Sequence, residues 1–239
     1  MKLIRTDLGV AVQTADQPLL LRHIIGIGRN YADHAAEQGA AVPDRPMYFT
    51  KNPMSAALHN DDIVVPRCCQ DETTGDDQTD FEAELAVILK HHVRDADPHD
   101  ALKHVLGYCC ANDVSARWWQ KKGAGGQFNR GKSFDTFCPL GPALIPAADI
   151  PDPQNLTIRC RVNAETMQDA NTSQMIFPVA TLIAELSRET TLLPGTVILT
   201  GTPAGVGMAR TPPRFLRNGE TVEVEIESIG TLTNRVRFA

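Results

Sequence analysis

The second half of the chain consists mainly of short segments with the apolar–polar alternation of β-strands. One helix-like segment, PVATLIAELSRE, interrupts them, with Pro178 predicted in its first turn. Because strands do not alternate regularly with helices, the pattern predicts an α+β, β-rich fold rather than a parallel βαβ sheet. The predicted strand segments are LTIRCRVN, TVILTG, TVEVEIES and TLTNRVRF.

The size of the chain favours one main domain. Its 239 residues are 42% apolar, which is enough for a large core, and no internal repeat or linker divides them. The start, MKLIRTDLGVAV, reads as a hairpin around Asp7-Leu8-Gly9. We therefore expect a small N-terminal strand extension over residues 1–20 and the main domain over residues 21–239.

Charge and cysteine content limit the partners. The net charge is −6 and basic residues form no block, so no nucleic-acid partner is expected. No apolar run approaches the ~20 residues of a membrane span, and no signal-peptide core follows Met1. The six cysteines lack Cys-x-x-Cys spacing and are interpreted as reduced thiols. These features predict a cytoplasmic protein that does not bind membranes.

Two glutamates lie inside an apolar strand, TDFEAELAVIL. Glu82 and Glu84 are two residues apart, so they leave one face of the strand about 7 Å apart. Ala86 and Ile88 continue that face, which argues against a fully solvated surface. Paired carboxylates suit a divalent cation with hard oxygen ligands. An exposed acidic face is the alternative at this point.

A third acid, Asp113, follows the strand YCCANDV. Together with the two glutamates it would fill about half of an octahedral magnesium shell. Alternatively, it caps a helix predicted over SARWWQKK.

A second cluster follows the strand HIIGIGRN. In the predicted helix NYADHAAEQ, with Asn30 as its possible N-cap, His34 and Glu37 are three apart and share a face. A carboxylate beside an imidazole orients it as a base that can activate water. An ordinary surface pair is the alternative.

Cationic and glycine-rich segments complete the candidates. Lys51, Arg117 and Lys132, with Gln120, could hold a substrate carboxylate, or could be solvated surface groups. The segment LTGTPAGVG could bind an anion through backbone N–H groups, or could be a plain tight loop. Further local expectations are a helix over DPHDALKHVLG that ends at Gly107 and a loop over residues 67–80.

The order of these motifs resembles the fumarylacetoacetate hydrolase family, from about Ile24 to the C-terminus. The motifs are GRNYADHAAE, FTK, DFEAELAVIL, NDVSAR, KSFDTFCPLGP and LTGTPAGVG. The resemblance is greatest to short members that act on acylpyruvates and oxaloacetate. It implies a mixed β-roll with a few peripheral helices, a catalytic domain over residues 21–239, and a homodimer.

The resemblance also implies roles for individual residues. Glu82, Glu84 and Asp113 match ligands for Mg²⁺ or Mn²⁺. His34 and Glu37 match a catalytic dyad on a lid helix, and Lys132 matches a catalytic lysine near the metal. The implied substrate-binding residues are Arg29, Arg117, Gln120 and Thr202. Trp118 stands where the family usually has an acidic residue, which questions the reach of Gln120.

The implied function is hydrolysis of a C–C bond in acylpyruvate-type 2,4-dioxo acids. The cation would stabilise an enolate, and His34 would activate the attacking water. Alternatives are an oxaloacetate decarboxylase, an isomerase or hydratase of unsaturated 2-oxo dicarboxylates, or a catalytically silent module that binds small acids.

Overall fold

A computed structural model describes residues 1–73, 75 and 77–239 of the chain. Strands make up 39% of it and helices 19%, which confirms the β-rich class. The strands are, in chain order, β1 (Leu3–Thr6), β2 (Gly9–Val12), β3 (Leu19–Leu20), β4 (His23–Gly28), β5 (Met47–Lys51), β6 (Ala56–Leu58), β7 (Asp62–Val65), β8 (Thr79–Asp80), β9 (Ala83–Leu89), β10 (Val105–Asn112), β11 (Ser115–Ala116), β12 (Cys138–Pro146), β13 (Thr157–Val162), β14 (Glu165–Asn171), β15 (Thr196–Leu199), β16 (Thr221–Ile226) and β17 (Gly230–Phe238). The α-helices are α1 (Ala32–Glu37), α2 (Phe128–Lys132) and α3 (Val179–Ser187).

Two sheets form the main body. The larger has the order β5-β4-β15-β9-β10-β12-β6, and the smaller has the order β14-β13-β16-β17-β7. Strands β9, β10 and β12 of the first sheet pack on β13, β16 and β17 of the second. This curled arrangement is the mixed β-roll that the motif order implied.

Residues 3–20 form a separate small sheet, β1-β2-β3. The predicted hairpin at Asp7-Leu8-Gly9 is confirmed, because β1 and β2 pair directly on either side of this turn. Val10 and Val12 of this sheet join the second apolar cluster on the outer face of the larger sheet. Whether residues 1–20 behave as a separate extension stays a prediction.

Strand β9 crosses the middle of the molecule and is buried on both faces. Leu85 and Val87 join the main core between the two sheets, whereas Ala86 and Ile88 join the second cluster. Full burial of each large side chain contributes about 1.5–3 kcal/mol. A polar group at the start of such a strand is therefore shielded from water on both sides, and Glu84 occupies that position, 1% exposed.

Several local predictions were wrong. The helix expected over DPHDALKHVLG is only a 3₁₀ turn, Ala101–His104, and Gly107 lies inside β10. Ser115 and Ala116 pair with β8 instead of opening a helix, and the helical segment that follows includes a π-helical turn, Trp119–Gly123.

Two further predictions hold in part. Helix α3 begins at Val179, with Pro178 as its N-cap. The predicted loop over 67–80 contains a 3₁₀ turn, Arg67–Cys69, and ends in β8, while positions 74 and 76 lie outside the described residues.

Asn30 does not cap α1, whose N-cap is Tyr31. Its side-chain amide instead donates to the carbonyl oxygens of Thr200 (2.7 Å) and Phe177 (3.0 Å) and accepts from the Phe177 N–H. A side chain saturated by distant backbone groups cannot also serve the adjacent helix. Asn30 therefore ties the approach to α1 to the loop that follows β15.

Candidate active site

Three carboxylates meet where β9 begins and β10 ends. These strands are antiparallel, with Glu84 opposite Ala111, and the Asp113 N–H donates to the Glu82 carbonyl oxygen (2.9 Å). One carboxylate oxygen from each of Glu82, Glu84 and Asp113 lies within 4.8 Å of the others, and all three residues are buried. The structure thus brings together the predicted metal ligands from two separate segments.

Two buried lysines neutralise this cluster. Lys132, at the end of α2, donates to Glu82 Oε2 (2.6 Å) and Asp113 Oδ2 (2.7 Å). Lys51, at the end of β5, donates to Asp113 Oδ1 (2.5 Å). The N-cap alternative for Asp113 is therefore wrong, because both carboxylate oxygens bind ammonium groups. Neither lysine is a solvated surface charge, since both are at most 2% exposed.

The two glutamates have opposite electrostatic environments. Burial tends to raise the pKa of Glu82, but the Lys132 ammonium and Arg117 guanidinium bring it below its ordinary value. Burial raises the pKa of Glu84 well above its ordinary value, and the neighbouring carboxylates of Asp113 and Glu82 raise it further. Without a cation, the cluster therefore favours a proton on Glu84.

The cluster fits a divalent cation on its own donor chemistry. Its three ligands are hard carboxylate oxygens, the type that Mg²⁺ and Mn²⁺ take. A cation would also relieve the repulsion that raises the pKa of Glu84. Glu82, Glu84 and Asp113 are therefore the residues that would hold such an ion.

Arg117 is fixed by an acid that the sequence reasoning missed. Its Nε donates to Asp80 Oδ2 (2.9 Å), and its Nη1 contacts Glu82 Oε1 (2.7 Å) and Gln120 Oε1 (3.0 Å). Asp80 also accepts from the N–H groups of Phe81, Gly207 and Met208. Its position two residues before Glu82, on the alternating acidic face, was the signal that could have identified it.

The glycine-rich loop after β15 binds two carboxylates of the protein itself through backbone N–H groups. Gly201 N–H donates to Glu84 Oε2 (2.6 Å), and Gly205 N–H donates to Glu37 Oε2 (2.8 Å). Gly201 has φ +94°, and a Cβ there would lie 2.6 Å from the Asn30 Cβ. Only glycine allows this approach without strain. The loop therefore positions carboxylates of both predicted clusters.

The predicted dyad forms within α1. Glu37 Oε1 lies 2.6 Å from His34 Nδ1, and His34 is 4% exposed. The surface-pair alternative therefore does not describe His34. Gln38, the residue after the helix, lies with its Nε2 atom 2.9 Å from His34 Nε2.

These groups surround a cavity with a volume of about 70 Å³. Its lining includes seven predicted site residues, Arg29, His34, Glu82, Arg117, Gln120, Lys132 and Thr202. Glu37, Glu84 and Asp113 lie behind this lining. Further lining residues, not predicted from the sequence, are Ile27, Gly28, Gln38, Phe49, Lys121, Phe128 and Met208.

Two lining cations, Arg29 and Lys121, have no carboxylate partner among the described residues. Burial, followed by the nearby Arg117 guanidinium, lowers the pKa of Lys121. Lys132 also lies over the Phe49 ring, with Nζ 5.0 Å from its centroid. The cavity therefore has a cationic wall that can receive an anion.

The structure also gives the contacts of Trp118 and Thr202. Trp118 packs edge-on against Trp119, with ring centroids 5.0 Å apart, and Gln120 still reaches both Arg117 and the cavity. Thr202 donates to the Ala83 carbonyl oxygen (2.9 Å) and accepts from Gln168 Nε2 (2.7 Å). Its predicted contact with substrate stays a prediction.

No helix among the described residues is long and apolar enough to cross a bilayer. The cytoplasmic location stays a prediction, and one relative described next is named as mitochondrial.

Comparisons with known proteins identify relatives of this chain. A mitochondrial oxaloacetate tautomerase from Xenopus laevis is 48% identical over 213 residues, which cover 89% of this chain and 65% of that protein. The chain thus spans less than two thirds of the length of this relative. A solved fumarylacetoacetate hydrolase from Exiguobacterium antarcticum is 40% identical, with TM-score 0.81, over 98% of this chain and 83% of that one.

A solved 5-carboxymethyl-2-hydroxymuconate delta-isomerase from Mycobacterium smegmatis is 36% identical, with TM-score 0.79, over 93% of this chain and 79% of that one. The family model described as the C-terminal part of fumarylacetoacetate (FAA) hydrolase matches residues 23–237. Since this match covers nearly the whole chain and the relatives share its fold, the protein belongs to the fumarylacetoacetate hydrolase family.

Proposed function

We propose that this protein catalyses cation-dependent proton transfer on 2-oxo dicarboxylates, with the keto–enol tautomerisation of oxaloacetate as its main reaction. The observation that carries the proposal is the buried cluster of Glu82, Glu84 and Asp113 directly behind a cationic cavity. A bound Mg²⁺ or Mn²⁺ supplies Lewis-acid stabilisation of the negative charge that develops on the 2-oxo oxygen.

The cationic wall supports a substrate with two carboxylates. Arg117 lines the cavity, and its hydrogen bond to Asp80 holds its guanidinium in place. Arg29 and Lys121 lack carboxylate partners among the described residues and can each attract a negative group. A dianion such as oxaloacetate matches these two unpaired charges.

His34 is the base best placed to move the proton. An ionised Glu37 carboxylate can only accept a hydrogen bond, so the proton of a neutral His34 lies on Nδ1. The Nε2 atom is then the proton acceptor. In the forward direction the enol oxygen loses a proton and the neighbouring carbon gains one, and Lys132 hydrogen-bonds to the oxygen as its charge develops.

The names of the relatives support this reaction. The Xenopus relative is an oxaloacetate tautomerase, and the Mycobacterium structure is an isomerase of a hydroxymuconate. Both names describe movement of a proton or double bond in a 2-oxo acid or its enol. Oxaloacetate decarboxylation and isomerisation or hydration of unsaturated 2-oxo dicarboxylates would use the same enolate.

Acylpyruvate hydrolysis, which the sequence analysis favoured, is the second candidate, and the His34–Glu37 contact supports it. In that reaction hydroxide bonds to the distal carbonyl carbon, and the C–C bond breaks with its electron pair on the pyruvate enolate. The proton taken from water returns to the enolate carbon, which gives pyruvate and a carboxylic acid. His34→Ala should then abolish acylpyruvate cleavage while oxaloacetate decarboxylation persists, and equal loss of both would contradict the role of the dyad.

The main test is the decay of enol-oxaloacetate absorbance with Mg²⁺, with Mn²⁺ and with EDTA. Wild type should accelerate the decay only with a cation, and Glu84→Gln should lose this acceleration. Glu165→Gln, at an exposed position on β14, is the matched control and should behave as wild type. Unchanged rates in EDTA or in Glu84→Gln would contradict the proposal, and ligand binding without turnover of any 2-oxo acid would indicate a silent binding module.

The homodimer also remains a proposal, supported by the motif resemblance. Light scattering coupled to size-exclusion chromatography tests it directly, with a mass near twice the 26.1 kDa of the chain as the expected result. A mass of a single chain would contradict it.

A further inference from the structure

The side chain of Gln38 covers His34, the base of the dyad. Gln38 Nε2 lies 2.9 Å from His34 Nε2, while His34 Nδ1 faces Glu37. Since the Glu37 carboxylate requires the imidazole proton on Nδ1, Nε2 of a neutral His34 is an acceptor. The amide N–H of Gln38 therefore donates to the one atom of His34 that could take a proton.

This contact leaves no open position for water on His34. His34 is 4% exposed, and both nitrogens of its ring have partners. Gln38 lines the cavity, yet its side chain is exposed at the end of α1, and the described residues give its amide no other hydrogen-bond partner. It can therefore turn into solvent without breaking another side-chain hydrogen bond.

We propose that the Gln38 amide is a specificity-determining group that keeps water off His34 Nε2 and so favours proton transfer on the substrate over hydrolysis. The proposal rests on the proposed function and assigns its reaction outcome. It concerns which molecule reaches the base, not whether the base is present.

The physical reason is that a 2-oxo dicarboxylate can displace the Gln38 amide from His34 more easily than a water molecule can. A single water would exchange one hydrogen bond for another and would also lose freedom of movement. A 2-oxo dicarboxylate gains contacts with the cationic wall as it enters, so its binding can drive Gln38 away.

The experiment compares Gln38→Ala and Gln38→Met with wild type on two substrates, enol-oxaloacetate and an acylpyruvate. Both variants remove the N–H donor, and the methionine variant keeps the side-chain length. We expect the ratio of acylpyruvate hydrolysis to oxaloacetate tautomerisation to rise about tenfold in both, the factor that one net hydrogen bond provides. Gln13→Ala, at an exposed position in the N-terminal part, is the matched control.

A second readout does not depend on turnover. The ¹⁵N resonance of His34 Nε2, assigned with His34→Ala, should differ between wild type and both Gln38 variants, and should not change in Gln13→Ala. An unchanged resonance would show that the amide does not cover the base and would overturn the proposal.

The kinetic outcomes separate this inference from the proposed function. A wild type that tautomerises oxaloacetate, with an unchanged activity ratio in the Gln38 variants, would overturn the inference alone. If the activity ratio rose in Gln38→Ala but not in Gln38→Met, the effect would come from the lost side-chain volume, and the inference would also be overturned. Absence of all turnover by wild type would overturn the proposed function and the inference with it.

Discussion

Glu82 and Glu84 lie two residues apart, yet the pKa of one carboxyl is lowered and that of the other is raised. Burial penalises both anions. Glu82, however, binds Lys132 and Arg117, whereas the one side-chain hydrogen bond of Glu84 within residues 1–73, 75 and 77–239 comes from the backbone N–H of Gly201. The difference therefore comes from the cations that other segments bring to Glu82.

Cation binding should release a proton from Glu84. The raised pKa of Glu84 means that Mg²⁺ or Mn²⁺ competes with a proton, so the apparent affinity should increase with pH. Titration calorimetry in buffers of different ionisation enthalpy should show net proton release on cation binding. Glu84→Gln should bind the cation weakly and release none, and equal proton release from this variant would contradict the assignment.

The stability of the cation-free protein should fall as pH rises. The pKa of a glutamate in an unfolded chain is about 4.3. Because folding raises the pKa of Glu84, its carboxyl stabilises the folded state fully below pH ~4.3, and this stabilisation is lost as pH rises through the folded pKa. Glu82 contributes with the opposite sign, since its stabilisation is lost as pH falls. The melting temperature in EDTA should decline above pH ~4.3, and Glu84→Gln should flatten this decline. A wild-type slope in the variant would exclude Glu84 as the cause.

Lys51→Met should destabilise the protein by about 3 kcal/mol, because it removes one partner of a buried ion pair with Asp113. Urea unfolding of the cation-free protein measures this change. Lys90→Met, at an exposed position, is the control and should stay within about 0.5 kcal/mol. A similar small change in both variants would mean that Lys132 alone suffices for Asp113.

Asp80→Asn should release Arg117 from its fixed orientation. The asparagine amide places N–H groups against donors from Arg117, Gly207 and Met208, so a loss of about 3–5 kcal/mol in stability is expected. The KM for oxaloacetate should rise more than kcat falls, since Arg117 is proposed to bind substrate. Asp7→Asn in the exposed hairpin is the control, and an unchanged KM in Asp80→Asn would contradict this positioning role.

The sequence pattern predicted most reliably the segments whose structure depends mainly on their own residues. The strands HIIGIGRN, TVILTG and TVEVEIES were confirmed as β4, β15 and β16, because their apolar residues suit a buried ribbon. The helix over DPHDALKHVLG was wrong because pairing with β9 and β12 draws Val105–Asn112 into the sheet. Here tertiary hydrogen bonding overrides local propensity.

The sequence by itself determined the strand-rich class and the spacing that pairs Glu82 with Glu84 and His34 with Glu37, because alternation and spacing are local properties. Only the tertiary structure decided the partners of these residues. Lys51 and Lys132 meet Asp113 from distant segments, Asp80 fixes Arg117, and Gln38 covers His34. A charge takes its pKa and its role from the groups that folding places beside it, and those groups are not its neighbours in the chain.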